Sequence, residues 1–166
     1  MLKMNKIKTI SQLKYIADKE REKKHKIVLC HGCFDLLHIG HLRHLKAARK
    51  FGDILIVTIT KDEFVNKGKG RPAFTENYRA EMLASLEIID FVGINKWPSA
   101  VNTLYEIRPN YFVKGSDYRN RGENTNPNIH KEEKVCADIG TIIKYTDELT
   151  SSSTKLINEY FTLQEI

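Results

Sequence analysis

Apolar residues along the chain fall into two alternating kinds of run. Short, nearly unbroken Val/Ile/Leu/Phe stretches occur at 27–31, 53–59, 90–94, 110–114 and 141–145. Runs of that length and continuity belong to strands buried on both faces of a parallel sheet. Between them, apolar positions recur at helical spacing over 42–51, 76–86, 100–107, 129–138 and 154–161, which predicts helices. A further amphipathic stretch, 10–24, precedes them all, with Leu13, Ile16 and Ala17 on one side and Ser11 placed as a cap. Thr75 is placed to cap the helix over 76–86, and Glu76 complements its dipole. Strand–helix alternation of this kind implies right-handed βαβ units. The expected fold is therefore α/β, a doubly wound five-stranded parallel sheet with helices on both faces. At 166 residues the chain should bury one core, divided here as an N-terminal helical extension, 1–24, and a single domain, 25–166.

In such sheets ligands bind beyond the carboxyl ends of the strands, where strand order reverses. The first strand runs into His38-Ile-Gly-His41 and the fourth ends at Lys114-Gly-Ser-Asp117, so both deliver polar residues to that edge. Two imidazoles three residues apart at a helix start share one face. The unpaired backbone N–H groups and the dipole there favour an anion, and Gly40 leaves room for a phosphate to approach the backbone. A nucleoside triphosphate suits this arrangement. The loop over 66–72, Asn-Lys-Gly-Lys-Gly-Arg-Pro, interleaves Lys67, Lys69 and Arg71 with two glycines. Flexible cations beside a phosphate site can close over it. The hydroxyl run Ser151-Ser-Ser-Thr154 caps a helix in this reading, and Ser152, Ser153 and Thr154 can bind phosphate by the same groups.

Composition narrows the partners. The formal charge is +6 and the isoelectric point about 9.2, which favours polyanionic ligands. There is no basic stripe with interleaved aromatics, so nucleic acid is not the expected partner. No apolar run approaches a membrane span. The three cysteines, Cys30, Cys33 and Cys136, are an odd number and argue for free thiols in a reducing cytoplasm. Cys30-His-Gly-Cys33 lacks the second ligand pair that a structural zinc requires. No protein-held metal is expected.

The segment Gly32-Cys-Phe-Asp-Leu-Leu-His-Ile-Gly-His41 resembles the signature of the cytidylyltransferase-like nucleotidyltransferases, whose core is Rossmann-like. This family includes glycerol-3-phosphate cytidylyltransferase and the adenylyltransferase domain of bacterial heptose-phosphate enzymes. Similarity continues in the family's order through Thr60-Lys-Asp-Glu-Phe, Gly70-Arg-Pro, Tyr78-Arg, Val113-Lys-Gly-Ser-Asp-Tyr118 and Ser152-Ser-Thr-Lys-Leu-Ile157. The resemblance implies transfer of a nucleoside monophosphate from ATP or CTP to a phosphate-bearing acceptor, with release of pyrophosphate. It gives His38, His41 and Lys69 catalytic roles. It assigns nucleotide binding to Gly32, Cys33, Phe34, Gly40, His41, Lys114, Gly115, Asp117, Ser152, Ser153 and Thr154. It assigns the acceptor phosphate to Lys67, Arg71 and Arg79. Mg²⁺ is expected with the triphosphate, and a homodimer as the assembly. Asp35 reads as structural, holding the first loop.

Within the family, Arg71-Pro72, Lys114-Gly-Ser-Asp-Tyr118 and Ser152-Ser-Thr154 point to heptose-1-phosphate adenylylation. Lys61-Asp-Glu-Phe64 and the spacing onward to Arg79 lean instead to a glycerol-3-phosphate cytidylyltransferase. His31 stands where an asparagine is usual, and no arginine precedes Ser151. A non-catalytic nucleotide-binding module is the alternative outside enzymes.

Overall fold

The computed structural model describes residues 6–115, 118 and 128–147. Its elements run β1 (Ile7–Lys8), α1 (Ile10–Glu22), β2 (Ile27–Gly32), α2 (Ile39–Arg49), β3 (Ile54–Thr60), a 3₁₀ turn at Asp62–Phe64, α3 (Glu76–Ala84), β4 (Phe91–Asn95), α4 (Val101–Ile107), β5 (Tyr111–Gly115), α5 (Ile129–Ile139) and β6 (Ile142–Thr146). The strands form one sheet in the order β1-β4-β3-β2-β5-β6, and every pair is parallel. The chain moves outward from β2 in one direction through β3 and β4, then returns to place β5 on the other side of β2. The switch in strand order, and hence the crevice for a ligand, lies between β2 and β5.

Alternation along the strands builds a core on each face. Val28 and Cys30 point to one side with Leu45, Ala48, Ala80 and Leu83, from α2 and α3. Ile27 and Leu29 point to the other with Leu13, Ala17, Leu104 and Val135, from α1, α4 and α5. Strands sandwiched in this way must be apolar at nearly every position, which is why their sequence runs are unbroken.

The sheet has six strands where the sequence pattern gives five. The additional strand, β1, is two residues long, pairing Ile7 with Val92 and Lys8 with Gly93. A two-residue strand leaves no periodicity to detect. The segment before residue 24 is also sewn into the layered core. Leu13 and Ala17 are fully buried, Lys6 Nζ donates to the carbonyls of Leu86 and Ile89, and Arg21 Nη1 donates to those of Ile107 and Arg108.

The other five strands begin one residue later than their apolar runs suggest, except β2, which begins on the expected residue. At β3, β4 and β5 the offset has a physical cause. Asp53, Asp90 and Asn110 precede their strands and use their side chains as acceptors for neighbouring backbone N–H groups, those of Lys26, Leu55 and Ile27. The helix caps shift too. Thr9, not Ser11, caps α1, and it forms a reciprocal capping box with Gln12. Thr75 precedes α3 but its side chain makes no capping bond. Asp62 supplies that acceptor from the 3₁₀ turn, taking the Glu76 N–H, while Glu76 takes the Asp62 N–H.

Candidate active site

β2 ends at the switch point, and the chain turns through Cys33–His38 into α2. Two features shape this turn. Phe34 sits at φ +48°, and its ring lies against Gly32, where a Cβ would come within 3.1 Å of it. The same ring meets His41 edge-on, 5.1 Å between centroids. Asp35, with no exposed surface, accepts from the Ala73 and Phe74 N–H groups and from Arg71 Nε at 2.5 Å. It ties the first loop to the end of the 66–74 segment, the structural role expected of it.

α2 begins at Ile39, three residues before the sequence pattern gives it. His38 is therefore its N-cap, and His41 lies in the first turn. His38 Nδ1 accepts from the Gly40 N–H at 3.1 Å. An imidazole nitrogen that accepts carries no proton, so neutral His38 holds its proton on Nε2. The two imidazoles stack, 3.9 Å between centroids and 25° between planes. His38 Nε2 and His41 Nδ1 are both buried without a hydrogen-bond partner. Two unpartnered polar nitrogens at the positive end of a helix, in the crevice of a doubly wound sheet, are the strongest mark of a ligand site in the fold.

Burial keeps these rings neutral. Desolvation pushes His41 down to about 3, with the charges of His38, His44 and Lys67 adding to the effect and a backbone hydrogen bond with Leu36 opposing it. Desolvation also lowers His38. The positive charge of Lys67 acts on both His41 and Cys33. Lys67 and Lys69 are exposed and alternate with Gly68 and Gly70, which adopt φ of +100° and +75°. Those left-handed turns favour glycine. Arg71 is nearly buried, its Nε held by Asp35 and its Nη2 without a partner.

Two expected ligands are already engaged by the protein itself. Arg79, assigned by resemblance to the acceptor phosphate, has no exposed surface. Its guanidinium donates to the carbonyls of Phe74, Cys33 and Thr60 and to Asp62 Oδ1. It is a strut beneath the loops, not a group facing the crevice. On α3 it shares the buried side of the helix with Ala80 and Leu83. Lys114, assigned to the nucleotide, is 2% exposed and pairs with Glu132 at 2.6 Å, its ammonium over the rings of Phe112 and Tyr118. It stands at the switch point but is already partnered.

Two further residues join the site that sequence reading did not assign to it. His31 Nδ1 lies 3.0 Å from the Thr58 hydroxyl, and His44 Nδ1 lies 2.7 Å from that of Thr146. Burial first, then the Lys114 charge, pushes His31 to about 3 and His44 to about 4. Asp117, Ser152, Ser153 and Thr154 lie outside the described residues. All three cysteines are free thiols, and burial raises Cys30 to about 12. Among the described residues no three His, Cys, Asp or Glu side chains gather into a metal-holding group. No described helix is long and apolar enough to cross a membrane.

Comparison with known proteins places this geometry. The family model described as cytidylyltransferase-like matches residues 29–159. The bifunctional protein HldE of Aliarcobacter butzleri is 40% identical over 117 residues, 69% of this chain and 25% of that protein. HldE of Campylobacter concisus is 36% identical over 152 residues, 90% of this chain and 29% of that protein. The chain thus spans about a quarter of the length of these curated relatives. Among solved structures, pantoate-beta-alanine ligase from Francisella tularensis has a TM-score of 0.65 at 18% identity, covering 93% of this chain and 73% of that one. The lipopolysaccharide core biosynthesis protein from Thermoplasma volcanium has a TM-score of 0.59 at 24% identity, covering 77% and 99%. At these identities the two structures speak to the fold alone.

Proposed function

The chain belongs to the cytidylyltransferase-like family, and from that premise we propose that it is a nucleotidyltransferase that joins a nucleoside monophosphate to a sugar phosphate. The observation that carries this reading is the stacked His38–His41 pair, with its two unpartnered nitrogens at the start of α2. The acceptor is a heptose-1-phosphate and the donor ATP. An oxygen of the acceptor phosphate attacks the α-phosphorus of the triphosphate. A new P–O bond forms, the bond between the α-phosphorus and its bridging oxygen breaks, and pyrophosphate leaves with the electron pair.

The acceptor oxygen is already anionic, so no general base is needed. The difficulty is electrostatic, and catalysis consists of alignment and charge stabilisation. Neutral His38 donates from Nε2, and His41 acts beside it on charge developing around the α-phosphate. Formal positive charge comes from the loop, with Lys69 acting on the triphosphate and Lys67 and Arg71 on the acceptor phosphate. Gly32, Cys33, Phe34, Gly40 and Gly115 line the nucleotide site and Lys114 supports it from within, and the family resemblance gives Asp117, Ser152, Ser153 and Thr154 nucleotide-binding roles as well. Mg²⁺ carried on the triphosphate would supply further charge neutralisation there. The protein works in the cytoplasm as a homodimer, without nucleic acid.

A second reading, glycerol-3-phosphate cytidylyltransferase, is favoured by Lys61-Asp-Glu-Phe64. Pyrophosphate release measured with heptose-1-phosphate plus ATP and with glycerol-3-phosphate plus CTP separates the two. Faster turnover of the first pair is expected. Faster turnover of the second replaces the proposal with the alternative, and no release from any pairing leaves a nucleotide-binding module.

A further inference from the structure

The buried side chains of α2 are few and sit late in the helix. Leu45 and Ala48 are fully covered, and Gly40 is buried but has no side chain to pack. From Ile39 to His44 no apolar side chain is fully buried, and Ile39 is 56% exposed. Apolar packing therefore does little to fix the roll of the turn that carries His41. Directional contacts hold it instead. At the start, His38 caps the Gly40 N–H. One turn on, His44 reaches across to Thr146 at 2.7 Å.

His44 follows His41 by three residues and so lies on the same helix face. Thr146 ends β6 and is only 4% exposed. In the sheet, β6 lies two places from β2, with β5 between them. α2 leaves the end of β2 and is fastened on the far side of the switch point, so it bridges the crevice. A half-buried imidazole facing a buried hydroxyl has a strong preference for keeping that bond, because either group alone would be desolvated without a partner.

We infer that His44 is a positioning residue, whose bond to Thr146 fixes the roll of α2 and so aims the unpartnered nitrogens of His38 and His41 into the crevice. The inference deepens the proposed function and rests on the nucleotide site being there. Its motif is one turn longer than the family resemblance reveals, His-x-Gly-His-x-x-His, completed by a strand-end hydroxyl.

Thr146→Val keeps the side-chain volume and removes the hydroxyl, whereas Thr146→Ser keeps the hydroxyl. The valine variant should weaken ATP and CTP binding by calorimetry and lower turnover by a factor on the order of 10 to 100, as small misalignment of reacting groups does. The serine variant should restore both. His44→Ala should cost little more when added to Thr146→Val. In the nucleotide-free protein, Thr146→Val should also displace the imidazole nitrogen signals of His38 and His41 in NMR spectra. Losses that multiply in the double variant, or His38 and His41 signals unmoved by Thr146→Val, overturn the inference. Absence of ATP and CTP binding by the unaltered protein overturns the proposed function instead, and the NMR comparison still decides the role of His44.

Discussion

A neutral imidazole stabilises charge by donating its one N–H, as His38 can from Nε2, and His41, with a ring that burial keeps near 3, stands stacked on that donor. Removing one such preorganised donor typically costs about 2.7–4 kcal/mol in the barrier. His41→Ala should therefore lower turnover on the order of 10² or more. Its circular-dichroism spectrum should match that of the parent, and near-normal turnover would remove His41 from the chemistry. The cations divide into two kinds that sequence alone does not separate. Lys67 and Arg79 each look like a phosphate ligand in a matching motif, yet Lys67 is exposed while Arg79 is fully buried under four acceptors. Arg79→Ala removes the shared donor of three backbone carbonyls and Asp62, and should cost about 2–4 kcal/mol in denaturant unfolding. Lys67→Ala should leave the unfolding midpoint nearly unchanged while slowing nucleotidyl transfer. The reverse pattern would return Arg79 to the ligand set. Motif matching preserves residue type but not direction, so it was right about where Arg79 sits in the chain and silent on which way it points.

At the scale of elements, the apolar runs located every described strand from β2 to β6 and all five described helices. Errors cluster at ends and in the shortest element. Strand starts moved where Asp53, Asp90 and Asn110 turned their side chains to neighbouring backbone N–H groups. Those are polar residues whose bonding partner is remote in sequence. α2 began earlier because His38 itself caps it, a role Ser, Thr, Asp or Asn usually fills. The 66–72 loop was legible as a cationic, glycine-bearing loop. Its lysines alternate with two left-handed glycines with nothing within 4 Å of a Cβ built on either, so few contacts hold the backbone there. Bound phosphates would supply the counter-charge that the exposed ammonium groups lack among the described residues. Amide hydrogen exchange over 66–70 should slow when ATP or CTP is added, and equal exchange with and without nucleotide would mean that the loop does not close.

For the whole molecule, the strand order brings four histidines from β2 and α2 to one edge of the sheet, and that gathering sets its response to acid. His31, His41 and His44 are pushed to about 3, 3 and 4, and His38 is lowered as well. Desolvation is the leading cause in each. In the unfolded chain an imidazole takes up its proton near 6.5. Between roughly pH 6.5 and 4, therefore, the unfolded state binds more protons than the folded one, and stability rises with pH across that interval. The contribution is complete above 6.5 and is lost progressively as pH falls toward the folded-state values. Glu20, lowered by its bonds to Lys23 and His25, adds loss of the same sign at the acid end. None of this is readable in the sequence, where six histidines beside 27 lysines and arginines suggest only a basic protein. It depends on which rings the fold buries. Thermal unfolding between pH 4 and 8 should show a midpoint that climbs to about 6.5 and then levels. His44→Gln, which keeps a polar contact but cannot take up this proton, should flatten the climb. A midpoint insensitive to pH over this range would show that these imidazoles reach water in the folded state, and would undo the neutral assignment on which the roles of His38 and His41 rest.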